Sequence, residues 1–253
     1  MNKAFFYCIC LFFVFFLAHN IFAQSSKDSL AAFPFIRFQY SYLLPSGDFE
    51  DTYGNTNAIG AALGFKTRSN WQFEMEGSFM FGADIKRKDL LDGIINREGD
   101  VTDADGELIK VLTEIRAMSF YASVGKVFPL LGSNKNSGIL IQGGFGYLQH
   151  QIKVDYRDGE VFQFSDEMLK GYDRLHTGIA LRQFIGFQYF GRNNLGNFYL
   201  GIEFNQGFTR NRREYNYDTR SFDKNLKTDG LTGFRFGWAI PMRKRTADEF
   251  YYY

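Results

Sequence analysis

From Trp71 onward, large apolar side chains take every second position. Trp71, Phe73, Met75, Gly77, Phe79, Phe81 and Ala83 share one parity; Gln72, Glu74, Glu76, Ser78, Met80, Gly82 and Asp84 share the other. Successive side chains of a strand point to opposite faces, so this segment reads as a strand with one aromatic face and one polar face. The pattern recurs, and eight strands are predicted at 33–42, 58–66, 71–84, 115–128, 138–154, 177–190, 197–209 and 231–242. The apolar parity carries Phe38, Tyr40 and Tyr42 in the first strand, and Phe234, Phe236 and Trp238 in the last. The opposite parity carries Arg37, Gln39 and Ser41 in the first, and Gly233, Arg235 and Gly237 in the last.

The connections at 67–70, 129–137 and 191–196 are short, whereas those near 43–57, 85–114, 155–176 and 210–230 are long and polar. Short turns at one end and long loops at the other are the habit of outer-membrane barrels. The predicted fold is all-β: an eight-stranded antiparallel up-and-down transmembrane β-barrel, apolar outside and polar inside. A soluble eight-stranded barrel would need the reverse arrangement. Here the apolar parity, left in water, would aggregate. Ten strands are the alternative, if part of 85–114 or 210–230 adds a hairpin.

The first residues fit an export signal. Lys3 supplies the positive start, 4–18 is an almost unbroken apolar run, and Ala23 is the candidate cleavage residue. That run is short for a transmembrane helix of about 20 residues. The expected organisation is a signal peptide at 1–23, a periplasmic linker at 24–32, the barrel at 33–242 and a periplasmic tail at 243–253. The expected location is the cell outer membrane, reached through the cleaved signal. Cys8 and Cys10 are the only cysteines and lie within the signal, which excludes a disulfide framework or a thiolate site in the mature chain. A net charge of +1 argues against a nucleic-acid partner. The 30 Phe and 15 Tyr, with only four Pro, suit aromatic girdles.

The inward parity collects Arg37, Lys66, Glu74, Glu76, Arg182, Glu203 and Arg235. Eight strands enclose a lumen that side chains just fill. Unpaired charges there would be costly, so these residues are expected to form an ion-pair network that holds the barrel shut, in preference to a gated ion path. No cofactor and no metal site are predicted. An enzymatic reading requires a histidine beside a nucleophile or carboxylate. His150, with Asp84 and Ser165, is the one arrangement to weigh. No spacing motif supports it, and a structural role for His150 is preferred. His176 has no evident partner. Asp103-Ala104-Asp105-Gly106 departs from a calcium loop at both end positions and reads as turns. Gly143-Gly144-Phe145-Gly146 lies mid-strand and is not a phosphate loop.

Three further groups have candidate roles. Arg210, Arg212 and Arg213 open the last long loop, where they either contact lipopolysaccharide phosphates or pair with Glu214 and Asp218. Arg243, Lys244 and Arg245 are candidate interfacial anchors. Gly233, Phe236 and Trp238 fit the glycine-x-x-aromatic-x-aromatic signal by which the barrel-assembly machinery recognises its clients. The terminal 250–253 aromatics are a second candidate for that signal.

The chain resembles the small outer-membrane β-barrel proteins of Bacteroidota, in the OmpA/OmpX-like and PorT-like group. Pro45-Ser46-Gly47-Asp48-Phe49 with Tyr53-Gly54, the strand-end signals and the aromatic tail carry the resemblance. Lys170-Gly171-Tyr172-Asp173-Arg174-Leu175 and Gln206-Gly207-Phe208-Thr209 add to it. It spans the chain from about Phe33 to Tyr253, specifies architecture well and activity poorly, and has no shared catalytic motif. It implies a non-enzymatic integral barrel, structural or surface-interacting, whose partners are outer-membrane lipid and lipopolysaccharide. An accessory subunit of a type IX-like secretion or surface-assembly complex is the implied alternative. A lipid-modifying enzyme using His150 and a small-solute channel rank below both.

Overall fold

The structure is a computed structural model and describes residues 30–87, 89–96, 98–103, 105–129, 134–156, 161, 164–191, 196–213 and 215–242. The predicted signal, the tail at 243–253 with Arg243, Lys244 and Arg245, and Glu214 lie outside the described residues. So does the linker, apart from its last three positions.

In chain order the elements are β1 (Phe33–Gly47), β2 (Thr56–Lys66), β3 (Trp71–Gly82), β4 (Asp100–Thr102), β5 (Leu108–Phe128), β6 (Gly138–Tyr156), α1 (Asp166–Leu169), β7 (His176–Tyr189), β8 (Phe198–Asn211) and β9 (Leu226–Pro241). Every pairing between these strands is antiparallel. β3 pairs with β5 and β1 pairs with β9, so the sheet closes on itself. β4 pairs only with Leu108–Lys110 of β5, in a hairpin beyond the wall. The wall therefore has eight strands, and the ten-strand alternative falls. The 210–230 segment adds no hairpin to the wall; instead β8 and β9 lengthen until Arg210 faces Leu226.

The pairings set the inclination of the strands. Starting at Ile36, successive partners are Leu63, Met75, Ala122, Phe145, Leu181, Gln206 and Gly230, which returns to β1 at Ser46, ten residues further along. A stagger of this kind tilts the strands by about 40° from the barrel axis.

The alternation settles into two faces. Phe38, Tyr40, Leu63, Phe73, Met75, Phe120, Phe145, Ile185, Leu200 and Phe234 are exposed on the outside, while Arg37, Glu74, Glu76, Arg182, Glu203 and Arg235 are buried inside. Toward the turn end, the outward Trp71 and Phe128 flank Lys126, whose Nζ lies 5.1 Å and 5.7 Å from their ring centroids.

Beyond the apolar belt, at the loop end, the polarity inverts. Inward positions there hold Ile115, Ala117, Leu148, Ile152 and Val154, and outward positions hold Glu114, Arg116 and Lys153. Phe49, Tyr53, Leu90, Leu91, Val101, Val161 and Phe164 fold inward from the loops and join the same apolar cluster. Their burial gives the loops a hydrophobic core of their own. This inversion explains why β5 starts at Leu108 instead of 115: its first residues obey the rule of a soluble strand.

Candidate functional site: a filled lumen and an outer cleft

The lumen is layered. At the turn end Phe33, Phe35 and Phe190 pack together, with the Phe33 and Phe190 rings edge to face at 5.1 Å. Beside them Lys66 Nζ donates to Asn136 Oδ1 at 3.0 Å and lies near two backbone carbonyls.

The charged layer comes next. Arg37 Nη1 reaches both oxygens of Glu74 at 2.7 Å, and its Nη2 donates to Gln188 at 3.0 Å. The guanidinium lies 4.0 Å from the centroid of the Tyr199 ring, and Tyr199 donates its hydroxyl to Gln39 at 2.7 Å. Glu76 is the hub of the other half. It accepts from Arg182 through one oxygen and from Arg235 at 2.9 Å through the other. Arg182 also donates to Ser123 at 3.1 Å and lies 4.4 Å from the Tyr121 ring centroid. Arg235 continues to Glu203, which also accepts from Asn205 at 3.2 Å.

Three arginines thus meet three glutamates, and the layer is neutral. Charge-assisted contacts and ring faces compensate the lost hydration of the guanidinium groups. The cavity next to this layer, between Gln39, Ser119, Tyr121 and Arg235, measures about 10 Å³. That is room for about one water molecule. Such a lumen links the strands of the wall through side-chain contacts across the interior.

A second polar site lies at the loop end. His150 contacts Tyr53 Oη through Nδ1 at 3.2 Å and Asp229 through Nε2 at 3.1 Å. Asp229 also accepts from Thr209 Oγ1 at 2.6 Å. The His176 ring stacks on His150 with centroids 5.1 Å apart, and its Nδ1 faces the Arg174 carbonyl at 2.7 Å. Tyr53 comes from the first long loop, where burial, helped by nearby Asp229, pushes its phenol well above the ordinary value. These groups line a cleft of about 80 Å³ together with Asp51, Arg87, Asp223 and Lys227.

No family model and no curated protein matches the chain. Among solved structures, Neisserial surface protein A is similar over 83% of this chain and 98% of its own, at 12% identity and a TM-score of 0.46. The attachment invasion locus protein of Yersinia pestis, solved with the heparin analogue sucrose octasulfate, covers 82% of this chain and 99% of its own, at 10% identity and a TM-score of 0.39. OprG from Pseudomonas aeruginosa covers 85% and 99%, at 12% identity and a TM-score of 0.34.

The remaining sequence candidates separate. Asp84 lies beyond the end of β3 and is exposed, as is Ser165. The carboxylate at His150 is Asp229, so the structure does not assemble the His150–Asp84–Ser165 arrangement. Arg213 forks onto Asp173 at 2.9 and 3.1 Å, a bond that raises its pKa above the ordinary value. Arg212 donates to Thr177, and Arg210 is exposed two positions beyond Phe208. Asp218 pairs with Arg174 instead of this cluster. Asp103 accepts from the backbone N–H groups of Asp105 and Glu107 at 3.0 and 2.8 Å, which is turn chemistry. Gly233 backs onto β1, where an added Cβ would stand 2.1 Å from the Tyr42 carbonyl oxygen. Phe236 and Trp238 face outward on the same strand.

Sequence reasoning missed Tyr53, Thr209 and Asp229 at His150, and Gln188, Tyr199, Tyr121 and Ser123 around the arginines. The inward parity of Thr209, Gln188, Tyr199, Tyr121 and Ser123 was legible, whereas Tyr53 and Asp229 fell in predicted loops; the partners, 160 positions apart in the case of Tyr199 and Gln39, were not legible.

Proposed function

We propose that this chain is an integral barrel of a bacterial outer membrane, non-enzymatic, acting as a closed scaffold that presents a folded loop surface to the exterior. One observation carries the reading: an apolar outer belt surrounds a lumen filled by a neutral arginine–glutamate layer. On β1, β2 and β3 no outward position between Ile36 and Leu44, Ile59 and Phe65, or Trp71 and Phe81 carries a charge. Such a belt is stable in hydrocarbon and unstable in water. Closure satisfies the backbone hydrogen bonds that a bilayer cannot.

The packed cap supports a binding surface over a gate. Arg210 is exposed near the loop end of β8, while Arg212 and Arg213 are bonded to Thr177 and Asp173, which supports Arg210 as the one of the three to meet lipopolysaccharide phosphates. His150, inward-facing and 3% exposed, is held by Tyr53 and Asp229, which supports a structural role for it.

The test has two arms. The protein should stay with the membrane after carbonate extraction and migrate differently on gels before and after boiling. Reconstituted in planar bilayers, it should show no stepwise conductance. Extraction as a soluble protein would overturn the location, and stable ion-conducting steps would overturn the sealed lumen.

A further inference from the structure

The apolar belt is uneven. On β1, β2 and β3 the outward side chains of Ile36–Leu44, Ile59–Phe65 and Trp71–Phe81 are aromatic, aliphatic, thioether or small, and the one outward amide above them on β2, Asn57, accepts from the Tyr40 hydroxyl at 2.6 Å. On β7 and β8 two primary amides interrupt it. The outward run of β7 reads Ile179, Leu181, Gln183, Ile185, Phe187 and Tyr189, with Gln183 exposed in the middle. That of β8 reads Leu200, Ile202, Phe204 and Gln206, again with Gln206 exposed. Leu181 pairs with Gln206 and Gln183 with Phe204, so the two amides are diagonal neighbours on one face. Neither amide is hydrogen-bonded to another described residue.

Beside Gln183 the wall is dented. Its partner on β6 is Gly143, and a Cβ placed there would meet nothing within 4 Å. Thr232, paired with Phe204 on β9, extends the polar sector.

We propose that this β6–β9 sector is the interface of a homodimer within the membrane, with the Gln183 and Gln206 amides of two copies hydrogen-bonded across it. The inference rests on the membrane-embedded reading above. An amide left without partners in hydrocarbon is strongly unfavourable. Gln183 has apolar positions on both sides along its strand, so its short side chain reaches neither interface.

The occupant follows from the chemistry of the group. A primary amide is both donor and acceptor, so two identical amides facing each other across a twofold axis satisfy both roles at once. An isologous contact of this kind closes as a dimer. The dent at Gly143 lets the second barrel approach closely, as small residues do at other membrane interfaces.

Cysteine cross-linking in native outer membranes tests this, because the only native cysteines, Cys8 and Cys10, lie in the expected signal. Gln183→Cys should give a disulfide-linked dimer on oxidation. Met75→Cys, 73% exposed on the opposite side of the barrel, should give none. Absence of a dimer from Gln183→Cys, equal yields from both positions, or linkage solely to a different protein would overturn the proposal. The second measurement is the monomer–dimer equilibrium in mild detergent. Gln183→Leu with Gln206→Leu should keep the heat-modifiable fold and raise the dimer dissociation constant on the order of tenfold. An unchanged constant would overturn the interface. Carbonate resistance of the Gln183→Cys protein separates the two failures. If it is lost, membrane embedding and dimer fall together; if it is kept without cross-linking, the dimer alone falls.

Discussion

Glu76→Gln is the sharpest probe of the lumen. The substitution keeps the shape of the side chain and removes one charge. Glu76 is 4% exposed and is shared by Arg182, 2% exposed, and Arg235, 6% exposed. Three arginines would then face two carboxylates. Arg235 keeps Glu203, but Arg182 is left with Ser123 and the Tyr121 ring. Breaking a buried pair from one side costs about 3–5 kcal/mol. Against a typical total of about 5–15 kcal/mol, that is a large loss. With a urea dependence of about 2 kcal/mol per molar, the midpoint should fall by about 2 M. The assay is a reversible urea titration of the barrel in lipid micelles, followed by tryptophan fluorescence and the folded band on unboiled gels. Adding Arg182→Met to Glu76→Gln restores neutrality, with Arg37 and Arg235 facing Glu74 and Glu203. That pair of changes should recover all but about 1–2 kcal/mol, because no uncompensated buried charge remains and only the new amide at position 76, beside Arg235, is imperfectly paired. A loss below about 1 kcal/mol for Glu76→Gln alone would refute the reasoning, since it would mean that water solvates the arginines.

Two other predictions concern the loop end. Asp229→Ala strands the Thr209 hydroxyl and His150 Nε2, and should cost about 1–3 kcal/mol. Hydrogen exchange in the 48–53 loop should quicken, while bilayer conductance should stay absent on the sealed-lumen reading proposed above. Tyr53 has a phenol held above its ordinary value by burial. Its folded-state pKa exceeds the unfolded value of about 10, so its stabilising contribution is complete below that pH and declines as pH rises through the folded value. Absorbance titration should therefore find fewer ionising tyrosines in the folded wild type than unfolding releases, because Tyr121 and Tyr199 are buried as well, and Tyr53→Phe should shrink that difference by one.

The parity of side chains was legible because a strand alternates strictly, and a bilayer demands that the alternation hold over whole segments. Phe73 and Met75 against Glu74 and Glu76 can be sorted by eye. The early start of β5 was not legible, because the rule changes where the strand leaves the belt. There Ile109 and Ile115 turn inward to a loop core that no local window contains. His150 could be assigned to the interior from its parity. Its carboxylate could not be identified, because Asp84 and Asp229 both lie at the loop end of a strand.

The sequence by itself determined which face of each strand is apolar and points out of the barrel and which residues enter the lumen, since both depend only on position along a strand. The tertiary structure alone decided who meets whom. The ten-residue stagger around the barrel slides each strand against the next, and so sets Arg37 on Glu74 and Arg182 and Arg235 together on Glu76. It also decided that the long loops would fold. Phe49, Leu90, Val101 and Phe164 are scattered along four segments, and only the closed wall brings them near enough to exclude water from one another.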